Sequence, residues 1–169
     1  DNDCDGLSYN TCYYVDGVNG NDANNGLSLS TAWRTIDKAD SALLAGNAVL
    51  IRAGTYSQSI SPLNNGNSGN PIIYAPYNKE KVTITQKADF AGKSYIAVKG
   101  LRFFSTGSRW VTINSLSHHI EFLDNYFNSS FDTNDPSISY TGFYTDGSYI
   151  IIRNNFFEKW WGGDMELIM

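Results

Sequence analysis

Trp160, Trp161, Asp164 and Glu166 crowd into the tract EKWWGGDME near the end of the 169-residue chain, and together they offer a specific chemistry. Indole faces stack on sugar rings and supply apolar contact area at little cost in entropy. Two adjacent tryptophans in a glycine-rich turn do not both point inward easily. At least one is therefore expected to be exposed for sugar contact, with packing under a loop as the other reading. Tyr144 and Trp110 extend the same surface, although Trp110 is equally suited to a core. Asp164 and Glu166 flank Met165, and with Asp146 they can hold Ca2+, which recruits a uronate carboxylate. The nearest bases are Lys159, Arg153 and Arg109. Removing a proton α to a carboxylate requires a base and positive charge to stabilise the enolate. Lys159 and Arg153 are the catalytic candidates on that ground, against a plain solvated surface.

Other residue types are less specific. Asp1, Asp3 and Asp5 precede Gly6 with the alternating oxygens of a calcium loop, but Cys12 stands where a bidentate Glu would close it. A calcium site and a solvated acidic end both fit. Cys4 and Cys12 read as a short disulfide, since two thiols alone make a poor metal site. His118 and His119 open a strand, and one of them points outward. No carboxylate-rich motif accompanies them to make a ligand set. Asn128 begins a glycosylation sequon, meaningful only in a glycosylating host. Ser/His/Asp and Cys/His nucleophilic sites, phosphate loops and clustered zinc spacings are absent.

The elements that must position these residues come from a repeat. The stretch 149–157 (YIIIRNNFF) matches 119–127 (HIEFLDNYF) and, more weakly, 95–103 (YIAVKGLRF). Ile96, Ile120 and Ile150 share one column, Val98, Phe122 and Ile152 a second, and Phe103, Phe127 and Phe157 a third. Ile72 and Tyr74, then Val49 and Ile51, continue the first two columns upstream. Starts at Val49, Ile72, Ile96, Ile120 and Ile150 are 23, 24, 24 and 30 residues apart. A near-constant step of that size marks units that bury their apolar side only against neighbours. Inside each unit the apolar period is two, which is strand and not helix. Asn125 and Asn155 fall in a sharp turn, where stacked amides can form a ladder. The fold class expected is all-β: a right-handed parallel β-helix of about five coils.

One convincing helix is expected at 32–44, capped by Ser30 or Thr31 and closed by Gly46, with Trp33, Ile36, Ala39 and Leu43 on its apolar face. It precedes the first coil and would seal the open end of the core. The expected division is an acidic segment over 1–12, an N-terminal cap over 13–47 and coils over 48–169. Strands at 110–113, 141–145 and 165–169 form another set between the aligned columns. The chain stops at MELIM on such a strand, so continuation beyond it, or end-to-end self-association there, is expected.

Composition narrows the partners. Charged residues are 17% of the chain, aromatics 14%, and the net charge is −5, which disfavours nucleic acid. A polyanionic glycan would need a local basic patch or a bridging cation. No run reaches the ~18 apolar residues of a membrane span. The acidic, mature-looking start reads as a chain already processed from a signal peptide. A secreted or cell-surface location is the expectation.

The segments YYVDGVNGNDANNGLSLSTAWRTIDKA, AGNAVLIRAGTYSQSI and SGNPIIYAPY resemble the N-terminal cap and first coils of the pectate lyase-like superfamily. The resemblance covers 13 to about 160 and implies the β-helix fold. It also implies a substrate groove on the strand face preceding the asparagine turn's strand, with the loop before it. No catalytic motif of that superfamily matches residue by residue. Two functions remain: a polysaccharide lyase-like protein acting on an acidic glycan, with these residues as its N-terminal part, or a non-catalytic β-helix for adhesion, surface structure or filament assembly.

Overall fold

The computed structural model describes residues 11–105, 110–129 and 143–158. Fourteen strands and one α-helix lie within them. The strands are β1 (Thr11–Val15), β2 (Asn47–Ile51), β3 (Gly54–Tyr56), β4 (Ile72–Pro76), β5 (Val82–Ile84), β6 (Ala88–Asp89) and β7 (Ser94–Lys99). They continue as β8 (Arg102–Ser105), β9 (Val111–Ile113), β10 (His118–Leu123), β11 (Tyr126–Ser129), β12 (Phe143–Thr145), β13 (Ser148–Arg153) and β14 (Phe156–Glu158). They stack into three sheets: a long one in the order β1-β2-β4-β7-β10-β13, a second of β14-β11-β8-β5-β3, and a third of β12-β9-β6. Every pairing between these strands is parallel, so the chain advances one coil at a time. Strand–crossover–parallel strand connections wind right-handed. This is the expected parallel β-helix.

Period-two alternation sends one side of every strand into the bore. Ile72 pairs with Ile96, Ile96 with Ile120 and Ile120 with Ile150, as the repeat implied. Tyr74, Val98, Phe122 and Ile152 form the next column. The first coil departs from the expected register. Val49 pairs with Tyr74, not with Ile72. The slip is two residues, and a two-residue slip leaves every side chain on its original face. The inward assignment therefore survives, while the column partners move. β1 adds a further rung, with Tyr13 opposite Val49 and Val15 opposite Ile51.

The turn between the long and second sheets is two residues in the last three coils. Its first position is left-handed: Gly100 (φ 65), Asp124 (φ 57) and Asn154 (φ 56). Glycine, Asp and Asn are the residue types that enter this region at least cost. Its second position is filled by Leu101, Asn125 and Asn155. Asn125 is 1% exposed; its Oδ1 accepts from the Leu101 amide (2.9 Å), and its Nδ2 donates to the Val98 carbonyl (2.9 Å) and to Asn155 Oδ1 (3.0 Å). The Asn155 amide repeats this toward the Phe122 carbonyl (2.8 Å). The ladder is real, but the left-handed residue is the one before each rung asparagine.

The helix is shorter than expected. It runs Ile36–Ala42, with Thr35 as N-cap accepting from the Lys38 amide. Ser30 and Thr31 belong instead to a single 3-10 turn capped by Ser28, and Trp33 bridges Val15 in extended conformation. Trp33 is buried, stacked on Tyr13 at 4.6 Å, with its Nε1 donating to the Asn24 carbonyl. Ile36, Ala39 and Leu43 have no exposed surface and join the core with Val49, Ile51 and Tyr74. Cys12 sits on β1 and is not a free thiol, whereas Cys4, Asp1, Asp3 and Asp5 lie outside the described residues. No helix among the described residues is long and apolar enough to cross a membrane.

Asp40 ties this cap to the coils. It is 5% exposed, and its carboxylate accepts from the Tyr74 hydroxyl (2.7 Å) and the Ser61 amide (2.7 Å). Burial pushes its pKa up from 3.8 to about 6 despite both bonds. The folded form therefore holds the proton more tightly than the unfolded chain. Stability should fall as pH rises from about 4 through about 6, then level off, by an amount on the order of 2–3 kcal/mol. Burial also disfavours ionisation of Asp16 and Asp22. There, hydrogen bonds from Asn19 and Val18, and from Thr35 and Arg34, outweigh it and lower both pKa values. Their stabilisation is lost only below the ordinary carboxylate range, so the two windows separate. Thermal melts of wild type should be higher at pH 5 than at pH 7, and Asp40→Asn should remove that difference. An unchanged pH dependence in the variant would reject the assignment.

Candidate functional site

The third sheet is the face that precedes the long-sheet strands β7, β10 and β13, where the groove was expected. Its register sets Ala88, Val111 and Phe143 in one row and Asp89, Thr112 and Tyr144 in the next. Ala88, Val111 and Ile113 are fully buried, so the alternate positions Asp89 and Thr112 are on the outward side. Lys87 pairs with Asp89 at 3.4 Å on the same surface. Asp146 follows β12 and is exposed. Of the Tyr144 site, the backbone is described and the side chain is not. Trp160, Trp161, Asp164, Glu166, Lys159 and Arg109, and the strand expected at 165–169, lie outside the described residues.

Trp110 needs correction. It is 4% exposed, tilted against Phe127 (5.6 Å) and Phe157 (6.2 Å), and its Nε1 donates to the Asn128 carbonyl. Its faces are used within the core, where a ring that size contributes most, and no sugar can stack on them. Arg153 is exposed at the end of β13, on the long sheet and away from the third. Among the described residues no group of three or more His, Cys, Asp and Glu converges as metal ligands. His118 and His119 meet each other through their Nδ1 atoms (2.9 Å), and His119 is stacked between Tyr95 (4.4 Å) and Tyr149 (4.7 Å). The Asn128 amide, the sequon's acceptor, donates to Glu158 and to the Tyr126 hydroxyl.

A second surface escaped the sequence reading. On the outside of the second sheet the register aligns Thr83, Arg102, Tyr126 and Phe156. The Arg102 guanidinium lies over the Tyr126 ring at 3.9 Å, and Tyr126 stacks on Phe156 at 5.6 Å. Two adjoining hollows of ≈ 270 and ≈ 280 Å³ share Lys81, Arg102 and Tyr126. Each approaches the lower end of the ~300–1,000 Å³ range of small-molecule sites. Lys79 and Lys81 rise at one side because the second coil carries a longer turn here, with Asn78 (φ 46) and Lys79 (φ 58) both left-handed. Glu80 between them turns away: the Ala53 amide (2.7 Å) and the Arg52 guanidinium (2.9 Å) hold its carboxyl below the usual range. The sequence did carry a signal. Arg102, Tyr126 and Phe156 each precede a member of the inward Phe103, Phe127 and Phe157 column, so period two places all three outside.

No protein-family model matches the chain. The uncharacterized protein YwoF of Bacillus subtilis is 30% identical over 127 residues, 64% of this chain and 27% of that protein. The lacto-N-biosidase GH136 from Eubacterium ramulus superposes with a TM-score of 0.64 at 15% identity, covering 85% of this chain and 30% of its own. A rhamnogalacturonan lyase gives 0.63 at 16% identity over 87% of this chain and 51% of its own. Pectate lyase Pel9A gives 0.53 at 20% identity over 90% and 47%. The chain thus spans about a quarter of the curated relative and at most about half of these structures. At such identities the likeness is one of fold, and that fold is the β-helix of the pectate and rhamnogalacturonan lyases.

Proposed function

We propose that the chain belongs to an extracellular, polysaccharide lyase-like β-helix protein that binds or degrades polysaccharide, with an acidic glycan as its ligand. The observation that carries this reading is the shared architecture. Three solved proteins that follow this chain over 85% to 90% of its length are named as glycan-cleaving enzymes. Fold alone hosts many functions, so the site must supply the rest. In this reading the glycan lies along the third sheet beside Tyr144, with Trp160 and Trp161 stacking on its rings. Asp164, Glu166 and Asp146 hold Ca2+ against its carboxylates. A Cys4–Cys12 bridge suits the oxidising compartment. The alternative, a non-catalytic β-helix for adhesion or filament assembly, differs in lacking product formation.

Affinity electrophoresis against pectate, alginate and a neutral glucan tests the reading, with ultraviolet absorbance followed for unsaturated product. Retardation by the acidic polymers is expected, with loss on chelation. Trp161→Ala should weaken binding by about 1–3 kcal/mol, the scale of one well-packed aromatic contact. No retardation by any polymer would exclude it.

A further inference from the structure

From the hollows on the second sheet, we infer a separate binding site for one negatively charged sugar unit, set on a different face from the third sheet, along which the glycan is proposed to lie. The argument is one of charge and shape. The chain carries net −5, yet Lys79, Lys81 and Arg102 converge on one concave surface. The ion pairs among the described residues are Arg52 with Asp16 and Glu80, and Lys87 with Asp89; none involves these three cations. Asp124 and Glu80 also border the surface, and Glu158 reaches its edge, accepting from the Tyr126 hydroxyl and the Asn128 amide; Glu80 is committed to Arg52 and the Ala53 amide. The three cations outnumber the carboxylates left uncommitted to another cation, so the surface is net positive and raises the local concentration of anions.

Shape then narrows the anion. The Arg102 guanidinium sits 3.9 Å over the Tyr126 ring, and its planar fork of N–H donors is of the kind that meets a carboxylate or sulfate with two parallel hydrogen bonds. Phe104, 37% exposed, lines one hollow and offers apolar area beside it for the face of a ring, and Phe156, 59% exposed, extends the apolar surface beyond Tyr126. Thr83 adds a short polar group at the wall, where the Asn128 amide is already engaged by Glu158 and the Tyr126 hydroxyl. A small inorganic anion would leave the aromatics unused, and a neutral sugar would leave the cations unmatched. An anionic sugar uses both. The ligand's identity as a sugar rests on the proposed glycan function; the anion site itself does not.

The test is calorimetric titration of the intact chain with trigalacturonate, its carboxyl-reduced neutral counterpart and a sulfated disaccharide, at low and raised salt. Wild type should bind the anionic ligands, more weakly as salt rises, and should not bind the neutral one. Comparing the carboxylate and sulfate arms identifies the anionic group. Arg102→Ala should weaken anion binding at least tenfold. Lys81→Glu, at an exposed position where folding is not at stake, should do the same. Wild-type affinity in both variants would overturn the site while leaving glycan binding elsewhere intact. Preference for the neutral ligand would also overturn it. No binding of any ligand by wild type would overturn the site and count against the glycan reading as well.

Discussion

Asn125→Ala should lower the free energy of unfolding by about 3–5 kcal/mol, far more than the loss of one small polar side chain from a surface. The amide is 1% exposed and serves three partners in two neighbouring coils. Removing it strands the buried Leu101 N–H and the Val98 carbonyl, and takes one of two donors from Asn155 Oδ1, which still accepts from the Asn125 backbone amide. Each stranded buried group costs roughly 1–3 kcal/mol. Coils in such a stack depend on their nearest neighbours, so a fault between two rungs is not diluted along the solenoid. Asn155→Ala should cost less, because that residue is only half-buried. Equilibrium denaturation of both variants checks the order. Equal, small losses would mean that water replaces the amides and that the ladder contributes little.

Phe127→Ala should cost a comparable amount, about 3–5 kcal/mol, through the cavity left in the bore. Its ring has no exposed surface and lies between Phe103 (4.9 Å) and Phe157 (5.0 Å), nearly parallel to both. Trp110 closes its side. The neighbouring outward ring, Phe156, is more than half exposed, and Phe156→Ala should change stability by no more than about 0.5 kcal/mol. Denaturant midpoints for the two variants separate a packed inward column from an outward one. Similar losses at both positions would contradict the register.

The columns from Ile72 to Ile150 were legible because spacing and alternation agree there, and each ends in a recognisable turn. The first coil was not. AVLIRAG is apolar at consecutive positions, and a two-residue shift preserves the inward pattern, so sequence alone cannot fix which residue is whose partner. The helix start was misplaced because Ser28, Ser30, Thr31 and Thr35 are all acceptable caps. What decided it was tertiary: Trp33 is drawn into an extended bridge with Val15 and a stack on Tyr13. Trp110 suited a sugar-facing surface and a core equally; the interior column of phenylalanines that decides for the core is visible only once the coils are wound. The basic hollow was the hardest to read. Its cations come from two coils and its stacked rings from two more, and only the parallel register brings them together.

The most direct test of an anionic glycan seated on the second sheet is hydrogen–deuterium exchange of the intact chain with and without trigalacturonate. Strand amides are already bonded within the ladder, so the response should appear at the turns that border the hollows. Slower exchange is expected at 77–82, 100–102 and 124–126, with the cap over 36–42 unchanged. Unaltered exchange in all three turns at saturating trigalacturonate would contradict the account.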